Sequence, residues 1–380
     1  MQTSSKWVLL SWLFVDRIVY TLNWLSISPA QPFIASEFGV GLTSLGVLGT
    51  VFLVGIGTFQ IPAGLLATKY GPKKIALTGL FLSSLFAGLC SLAPNFESLL
   101  VLRFLTGVFL SFFFGPGISF FTPLFGVRER GTALGIYNAG FHVGTLLAIG
   151  VWPTLITQVG WRLGLLIPGV IGLVLTGVTY GVSRWVNDRT NNEEYGLSAI
   201  KNTAVISSAL GLALAGAAWY PLTQFGILYL DLEKDVGFEA AGALISVLSV
   251  GSVFGAPLSG RIFDRARNRK LLLYLLNVLS ALALSAFVFT PVALIPLVMF
   301  VIGFLYTSSN SLFYLVPMSL LPEEKVAVAV AMVNSVHLLA ASVIPFVFAN
   351  LVESLGYVVG WLSMSALCAS ALVCIRGMKV

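Results

Sequence analysis

Long stretches with few or no charged side chains are the feature of this sequence that most limits its fold. Each is about as long as the ~20 apolar residues that a helix needs to cross the hydrocarbon core of a bilayer. Charged residues make up 9% of the 380 residues, against about 25% in an ordinary soluble domain. The sequence therefore predicts an all-α polytopic membrane protein with short loops.

Twelve transmembrane helices are expected, the ninth and tenth being divided near Thr290-Pro291 because proline interrupts helical hydrogen bonding. The apolar runs lie at about residues 7–31, 42–66, 75–93, 98–124, 132–158, 163–183, 203–228, 240–262, 271–291, 292–319, 327–352 and 357–375. The first run is longer than the apolar core of a signal peptide and is interpreted as an uncleaved helix.

The chain contains an internal duplication. Three pairs of residues share one spacing of 196 positions: Gly64 and Gly260, Asn138 and Asn334, Gly160 and Gly356. Each half supplies six crossings, so a two-fold repeat of six-helix bundles around a midplane site is expected, as in many carriers. The predicted parts are a bundle at 1–184, a linker at 185–201 and a second bundle at 202–380.

Basic residues indicate the orientation, because translocation disfavours basic loops. With alternating crossings, 17 of the 21 Lys and Arg residues fall on one side. The sequence therefore predicts a monomeric multi-pass protein of the plasma membrane with both termini in the cytoplasm. The net charge of +6 lies in short turns, which favours contact with lipid over a nucleic-acid partner.

The composition of the loops and spans excludes several classes of site. The three cysteines lie in apolar runs without metal-ligand spacing. The sequence has no Walker-type loop and no group of residues typical of an enzyme. No enzymatic activity, metal or cofactor is expected.

Two basic turns lie at equivalent places in the halves. The first comprises Gly64, Thr68, Lys69, Gly71, Lys73 and Lys74, and the second comprises Gly260, Asp264, Arg265, Arg267, Arg269 and Lys270. Both resemble the loop pattern G-x-x-x-D-[RK]-x-G-x-[RK]-[RK] of the major facilitator superfamily. Arg103-x-x-x-Gly107 in helix 4 resembles the R-x-x-x-G pattern of the same family, and Gly160-Trp161-Arg162 at the outer end of helix 5 resembles a further common feature of it. The first copy departs from the pattern at Thr68, where the family has Asp, and the second at Arg267.

The resemblance implies alternating access, with helices 1, 4, 7 and 10 lining the cavity and the basic turns closing the cytoplasmic side. Because Thr68 supplies no charge, an asymmetric latch is predicted. Asp264 and Arg265 would meet the start of helix 5, whereas Glu323 or Glu324 would meet Lys69 and Lys73, with Gly64 and Gly71 shaping the first turn.

Five ionisable residues are predicted inside the spans, where each costs ~3 kcal/mol: Asp16, Arg17, Arg103, His142 and His337. Arg17 shares a helix face with Tyr20 and Trp24, so one interpretation is that these residues bind an anionic substrate group. The alternative is that Asp16 or Arg103 neutralises Arg17. The resemblance implies that Arg103 braces helix 4 against helix 1, with substrate contact as its alternative.

Proton coupling is predicted to run through Asp16, the only carboxylate well inside a span. His142 and His337 occupy near-equivalent places in the repeat and are the next candidates, because histidine titrates near neutral pH. Ordinary hydrogen bonding of a buried histidine is the alternative.

Helices 7 and 10 carry the expected substrate contacts of the second half. These are Trp219, Tyr220, Gln224, Tyr306, Asn310 and Tyr314. Rings and amides together suit a small, partly polar solute. The alternative is that these residues pack helices or anchor them at the interface.

Three hypotheses about function remain. The first is a secondary transporter that moves a small organic anion, a carboxylate, with protons. The second is an exporter of amphipathic or lipophilic compounds, suggested by Phe112-Phe113-Phe114. Helix 5 lacks the Gly-Pro pair of many drug antiporters of the family, which favours uptake. The third, a membrane sensor or scaffold, is disfavoured because no output domain is predicted.

Overall fold

The structure is a computed structural model that describes residues 2–188, 202–321 and 323–378. Every regular element in these residues is a helix, and they contain no strand, which confirms the all-α prediction. The chain divides into two compact units. The first unit comprises Met1–Phe38 and Val51–Glu193, and the second comprises Gly39–Thr50 and Glu194–Val380.

The helices of the first unit follow the predicted crossings. They are α1 (Gln2–Leu25), α2 (Ile27–Phe38), most of α3 (Leu42–Tyr70), α4 (Pro72–Leu89), α5 (Phe96–Phe121), α6 (Val127–Leu146), α7 (Trp152–Val159) and α8 (Trp161–Val182). The first crossing is interrupted at Ser26, between α1 and α2. The fifth contains a π-helical turn at Leu147–Val151 between α6 and α7.

The second unit repeats this plan. Its helices are α9 (Thr203–Ala217), α10 (Trp219–Lys234), α11 (Phe238–Arg265), α12 (Arg269–Phe289), α13 (Ile295–Leu320), α14 (Glu323–Ser342) and α15 (Ile344–Gly377). The interruption between α9 and α10 lies within the seventh crossing. The break between α12 and α13 includes Thr290 and Pro291, where the sequence predicts it.

Among the described residues, eleven helical segments are long and apolar enough to cross a membrane. The last of them, Ala331–Gly377, has 47 residues, which at 1.5 Å per residue is roughly twice the ~30 Å of a hydrocarbon core. Gly356 interrupts it with φ 84° and ψ 167°. Two crossings therefore lie in this segment, and the twelve-helix fold is confirmed.

The duplication is visible in the backbone. Gly160 and Gly356, 196 positions apart, have φ of 83° and 84°, a conformation with extended ψ that only glycine adopts readily. Gly39 and Asp235, separated by the same interval, both have left-handed φ, 65° and 55°. Each half thus turns its chain in the same places.

One helix contact also recurs with the same spacing. In the first unit, a Cβ added at Gly55 of α3 or Gly107 of α5 would overlap the backbone carbonyl of the facing helix. Gly251 of α11 and Gly303 of α13 are in the same situation. Small residues let helix backbones approach closely in membranes. Gly107 of the Arg103-x-x-x-Gly107 pattern therefore serves helix packing.

The first residues of α3 pack within the second unit. The carboxylate of Glu353 accepts a hydrogen bond from the backbone N–H of Thr43 at 2.8 Å and another from the Thr43 hydroxyl. These bonds satisfy donors at the start of α3, which have no partner inside the helix. Gly46 allows the backbone at Pro345 and Phe346 to approach. α3 therefore belongs to both units, and the predicted division into whole halves stays a prediction.

Candidate functional site

Arg17 of α1 is buried, with 5% of its surface exposed. Its Nε and Nη1 have no hydrogen-bond partner among the described residues. The ion pairs found in that part of the chain join Lys6 to Glu129 and Arg162 to Glu37. Since an arginine stays protonated in proteins, Arg17 is a buried cation without a described counter-ion. No ion pair joins Arg17 to Asp16 among the described residues, and Arg103 cannot neutralise Arg17 because it is a cation itself.

Aromatic rings surround the guanidinium instead. The Cζ atom of Arg17 lies 4.0 Å from the ring centre of Tyr20, 4.4 Å from Phe114, 5.1 Å from Phe141 and 5.5 Å from Tyr137. A cation within about 6 Å of a ring is attracted by its quadrupole. We call these four rings the Arg17 ring cluster. The sequence pointed only to Tyr20.

Two glycines bring α6 against α1 at this level. A Cβ at Gly140 would lie 2.6 Å from the carbonyl oxygen of Phe14 and 2.9 Å from Cβ of Arg17. A Cβ at Gly144 would lie 2.5 Å from Cβ of Thr21. Positions four apart share one helix face, so these glycines set how closely α6 and α1 approach.

That approach determines where the rings of α6 lie. Phe141 follows one of the two glycines directly, and Tyr137 lies one turn earlier. Gly117 of α5 leaves room for Tyr137, since a Cβ there would lie 2.7 Å from the tyrosine hydroxyl oxygen. A glycine pair flanked by aromatic residues at helical spacing was the available signal, but the sequence does not state which helix it faces.

Asp16 points to a different helix from Arg17, as the ~100° step between helical neighbours predicts. It is fully buried. Its Oδ2 accepts a hydrogen bond from the hydroxyl of Thr179 in α8 at 2.7 Å, and its Oδ1 has no partner in the described structure. Thr179 was not anticipated from the sequence.

Arg103 binds the backbone of the first crossing. Nη1 donates to the carbonyl of Asn23 at 2.9 Å, and Nη2 donates to that of Trp24 at 3.0 Å. These carbonyls lie in the last turn of α1, where helical acceptors lack partners and a cation is favoured by the helix dipole. Its Cζ also lies 4.4 Å from the ring centre of Phe52. The geometry is that of a brace, and substrate contact stays a prediction.

One aromatic pair recurs in the repeat with changed chemistry. In the first unit Trp24 contacts Phe141, with ring centres 5.9 Å apart. The residues 196 positions later are Tyr220 and His337, whose ring centres are 5.7 Å apart and whose Oη and Nε2 are 3.2 Å apart. His337 therefore corresponds to Phe141. His142 lies one position further on, about 100° around its helix, and is partly exposed.

The other predicted residues of the second unit form separate contacts. Trp219 stacks on Tyr306 with ring centres 5.8 Å apart and 13° between planes, and both line a small cavity with Cys368. The Tyr314 hydroxyl donates to Oδ1 of Asn334 at 2.9 Å. The two remaining predicted residues, Asn310 and Gln224, make no such ring contact among those described.

Those two residues are amides. Oδ1 of Asn310 is buried without a described partner. Gln224 donates from Nε2 to the carbonyl of Leu45 in α3 at 3.0 Å. A Cβ at Gly49 would overlap the Gln224 amide. Gln224 thus binds the docked start of α3.

The basic turns bind the ends of helices in their own units. Lys73 donates from Nζ to the carbonyls of Ser183 and Val186, at 2.7 and 3.0 Å. Lys270 does the same to the carbonyls of Arg376 and Met378, at 2.6 and 3.2 Å. Each lysine therefore caps the last crossing of its unit, a position that the helix dipole favours for a cation.

A carboxylate does reach the first basic turn, although Thr68 is not acidic. Asp188 accepts hydrogen bonds from the backbone N–H groups of Lys73 and Lys74, at 2.8 and 3.1 Å, at the start of α4. Gly71 has φ 99°, and a Cβ there would overlap Asp188. Asp188, from the segment after α8, was missed because nothing in its local sequence marks a capping role.

The predicted latch remains untested. Gly64 of the first turn lies in α3, and Lys69 is exposed with its Nζ 5.2 Å from the ring centre of Tyr70. The remaining latch side chains lie outside the described part of the structure: Thr68, Asp264, Arg265, Glu323 and Glu324.

Comparison with known proteins assigns the chain to a family. The family model described as Major Facilitator Superfamily matches residues 13–345. A "Probable L-galactonate transporter" of Escherichia coli is 23% identical over 278 residues, which is 66% of this chain and 60% of that protein. The "Probable sulfoacetate transporter SauU" of Cupriavidus necator is 24% identical over 378 residues, 90% of this chain and 85% of that protein.

A solved structure has the same fold. The bacterial homologue of the human lysosomal transporter Spinster, in an inward-facing and occupied conformation, superposes with a TM-score of 0.78. The two sequences are 17% identical, and the superposition covers 97% of this chain and 95% of the other.

Proposed function

The chain belongs to the Major Facilitator Superfamily, and we propose that this transporter moves a small organic anion, a carboxylate, by proton-coupled secondary transport. It is a membrane transporter and not an enzyme, as its family and relatives show. The observation that carries the proposal is the buried guanidinium of Arg17, which has two nitrogens without a partner.

The energetics favour a functional reason for Arg17. A charged side chain inside a span costs ~3 kcal/mol on insertion scales, and part of that is recovered from the rings at ~0.5–2 kcal/mol per favourable contact. Rings do not accept the in-plane N–H groups as a carboxylate does. A carboxylate can accept from the guanidinium through charge-assisted hydrogen bonds. The bound anion would supply the counter-ion that the described residues do not.

The substrates named for the two relatives reported above agree in charge. Galactonate and sulfoacetate are both organic anions, although they differ in size and hydroxylation. Their common property supports an anion as the substrate class, and the low identities leave the particular anion open to the site.

Asp16 is the proposed proton carrier. Its Oδ1 has no described partner, while Thr179 holds Oδ2, so one oxygen is available for a proton. His142 and His337 are the next candidates. From the distribution of Lys and Arg we also propose that the protein lies in the plasma membrane with both termini in the cytoplasm.

Counterflow of radiolabelled mono- and dicarboxylates into proteoliposomes tests the proposal. Arg17→Gln should lower counterflow at least tenfold, about the effect of losing one charge-assisted contact of 1.5–3 kcal/mol. Arg184→Gln removes an exposed guanidinium and should leave counterflow unchanged. If neutral or cationic lipophiles give a signal and carboxylates do not, the exporter hypothesis replaces this one.

A further inference from the structure

Aromatic rings make most of the described contacts of the Arg17 guanidinium. The four members of the Arg17 ring cluster are its nearest charge-stabilising neighbours, at 4.0–5.5 Å. Trp24 extends the aromatic surface, with its ring centre 6.1 Å from Tyr20 and 5.9 Å from Phe141. A substrate held by Arg17 would therefore place the rest of its body among rings.

Three hydroxyl groups near Arg17 are bonded to the backbone, and that of Tyr20 is bonded to the Arg17 side chain. Thr21 donates to the carbonyl of Arg17 at 2.9 Å, and Thr145 donates to that of Phe141 at 2.9 Å. The Tyr137 hydroxyl donates to the Phe113 carbonyl at 3.5 Å. Each of these donors is already used. A hydroxylated substrate would have to compete with these backbone bonds to use the three donors.

The rings also have little freedom to move aside. Gly140 and Gly144 hold α6 against α1 without intervening side chains, and Gly117 fits closely against the Tyr137 hydroxyl. Tyr137 is fully buried. Helix packing thus determines where the backbone carries the rings of α6.

We propose that the substrate is a carboxylate with a flat or apolar body and few hydroxyl groups, held by Arg17 and packed against the Arg17 ring cluster. This rests on the proposed function and narrows it. Aromatic rings favour flat partners through stacking and edge contacts. A hydroxyl buried without a partner lowers affinity about tenfold, so a polyhydroxylated acid is disfavoured at this site.

Matched ligands test the substrate class. Benzoate, cyclohexanecarboxylate and quinate each join one carboxylate to a six-membered ring, and quinate adds several hydroxyls. Binding is measured as ligand-dependent thermal stabilisation of the purified full-length protein and as counterflow, at mildly alkaline pH where all three are ionised. We expect benzoate and cyclohexanecarboxylate to bind at least tenfold more tightly than quinate, with benzoate the tightest.

Ring variants test the assignment to this surface. Phe141→Leu and Phe114→Leu keep an apolar side chain and remove a ring, and each should reduce the preference for benzoate over quinate about fivefold or more. Two variants are used in case one does not fold. Phe109→Leu is the matched control, because Phe109 stacks on Phe86, with ring centres 5.4 Å apart, and is not in the cluster.

The outcomes separate the two proposals. If Arg17-dependent transport of quinate or D-galactonate has an affinity equal to or higher than that of benzoate, the proposed substrate class is overturned. The proposal of an organic-anion transporter then still stands. Binding of no carboxylate, hydroxylated or not, overturns the proposed function itself. A benzoate preference that survives both ring variants overturns the role of the Arg17 ring cluster.

Discussion

Arg17 and Arg103 are equally buried arginines whose replacement should have opposite effects. They are 5% and 3% exposed, and replacing either by methionine relieves a similar insertion cost of ~3 kcal/mol. The variants differ in what they leave behind. Arg103→Met leaves the Asn23 and Trp24 carbonyls without their donors, whereas Arg17→Met removes ring contacts and a side-chain hydrogen bond with Tyr20.

The magnitude follows from the two carbonyls. An acceptor left unsatisfied costs ~1–3 kcal/mol, so the two carbonyls alone should destabilise Arg103→Met by ~2–6 kcal/mol. At about 2 °C per kcal/mol for a chain of several hundred residues, this cost should lower the unliganded melting temperature of Arg103→Met by about 4–12 °C. Arg17→Met should instead lose the additional stabilisation given by a bound carboxylate.

The assay is thermal unfolding in detergent, with and without a saturating carboxylate, on the natural chain and the two variants. Arg103→Lys is a useful third variant, since one ammonium keeps the charge but loses the planar fork. Its melting temperature should fall between those of the natural chain and Arg103→Met. If Arg103→Met unfolds at the temperature of Arg17→Met and abolishes ligand stabilisation, Arg103 binds substrate and the assignment as a brace is wrong.

Three other predictions concern separate parts of the chain. Asp16→Asn should abolish accumulation driven by a pH gradient while exchange continues in proteoliposomes; accumulation that persists moves coupling to another group. Glu353→Gln should speed hydrogen exchange in the first turn of α3 several-fold, because a charge-assisted acceptor of its N–H groups is lost, whereas Ser354→Ala, a change at an exposed neighbour, should not. The hydrogen bond from Lys6 holds the pKa of Glu129 below its ordinary value. The pair should therefore stabilise the protein at a pH above the ordinary pKa, and this stabilisation should be lost as the pH falls through the lowered pKa. Glu129→Gln should remove this part of the pH dependence of thermal unfolding.

The sequence alone determined the fold class and the internal repeat. Apolar runs record a local property, the transfer of each segment into a bilayer, so they can be read without knowing what each helix contacts. The shared spacing of 196 residues predicted two equivalent halves, and the positive φ at Gly160 and Gly356 is the same event in each. Arg17 and Asp16 were also recognised, because charge is conspicuous in apolar sequence.

Only the tertiary structure decided what surrounds those charges. Which side chains meet Arg17 depends on the rotation and separation of α1, α5 and α6, and close-packed glycines such as Gly140 set these more than a hundred residues away in sequence. For the same reason the sequence analysis missed Asp188, which binds the first basic turn. It also assigned Gln224 to substrate binding, whereas Gln224 binds the backbone of α3. Hydropathy specifies that a helix is buried in the membrane, whereas the partner of each face follows from packing between helices, which no single segment encodes.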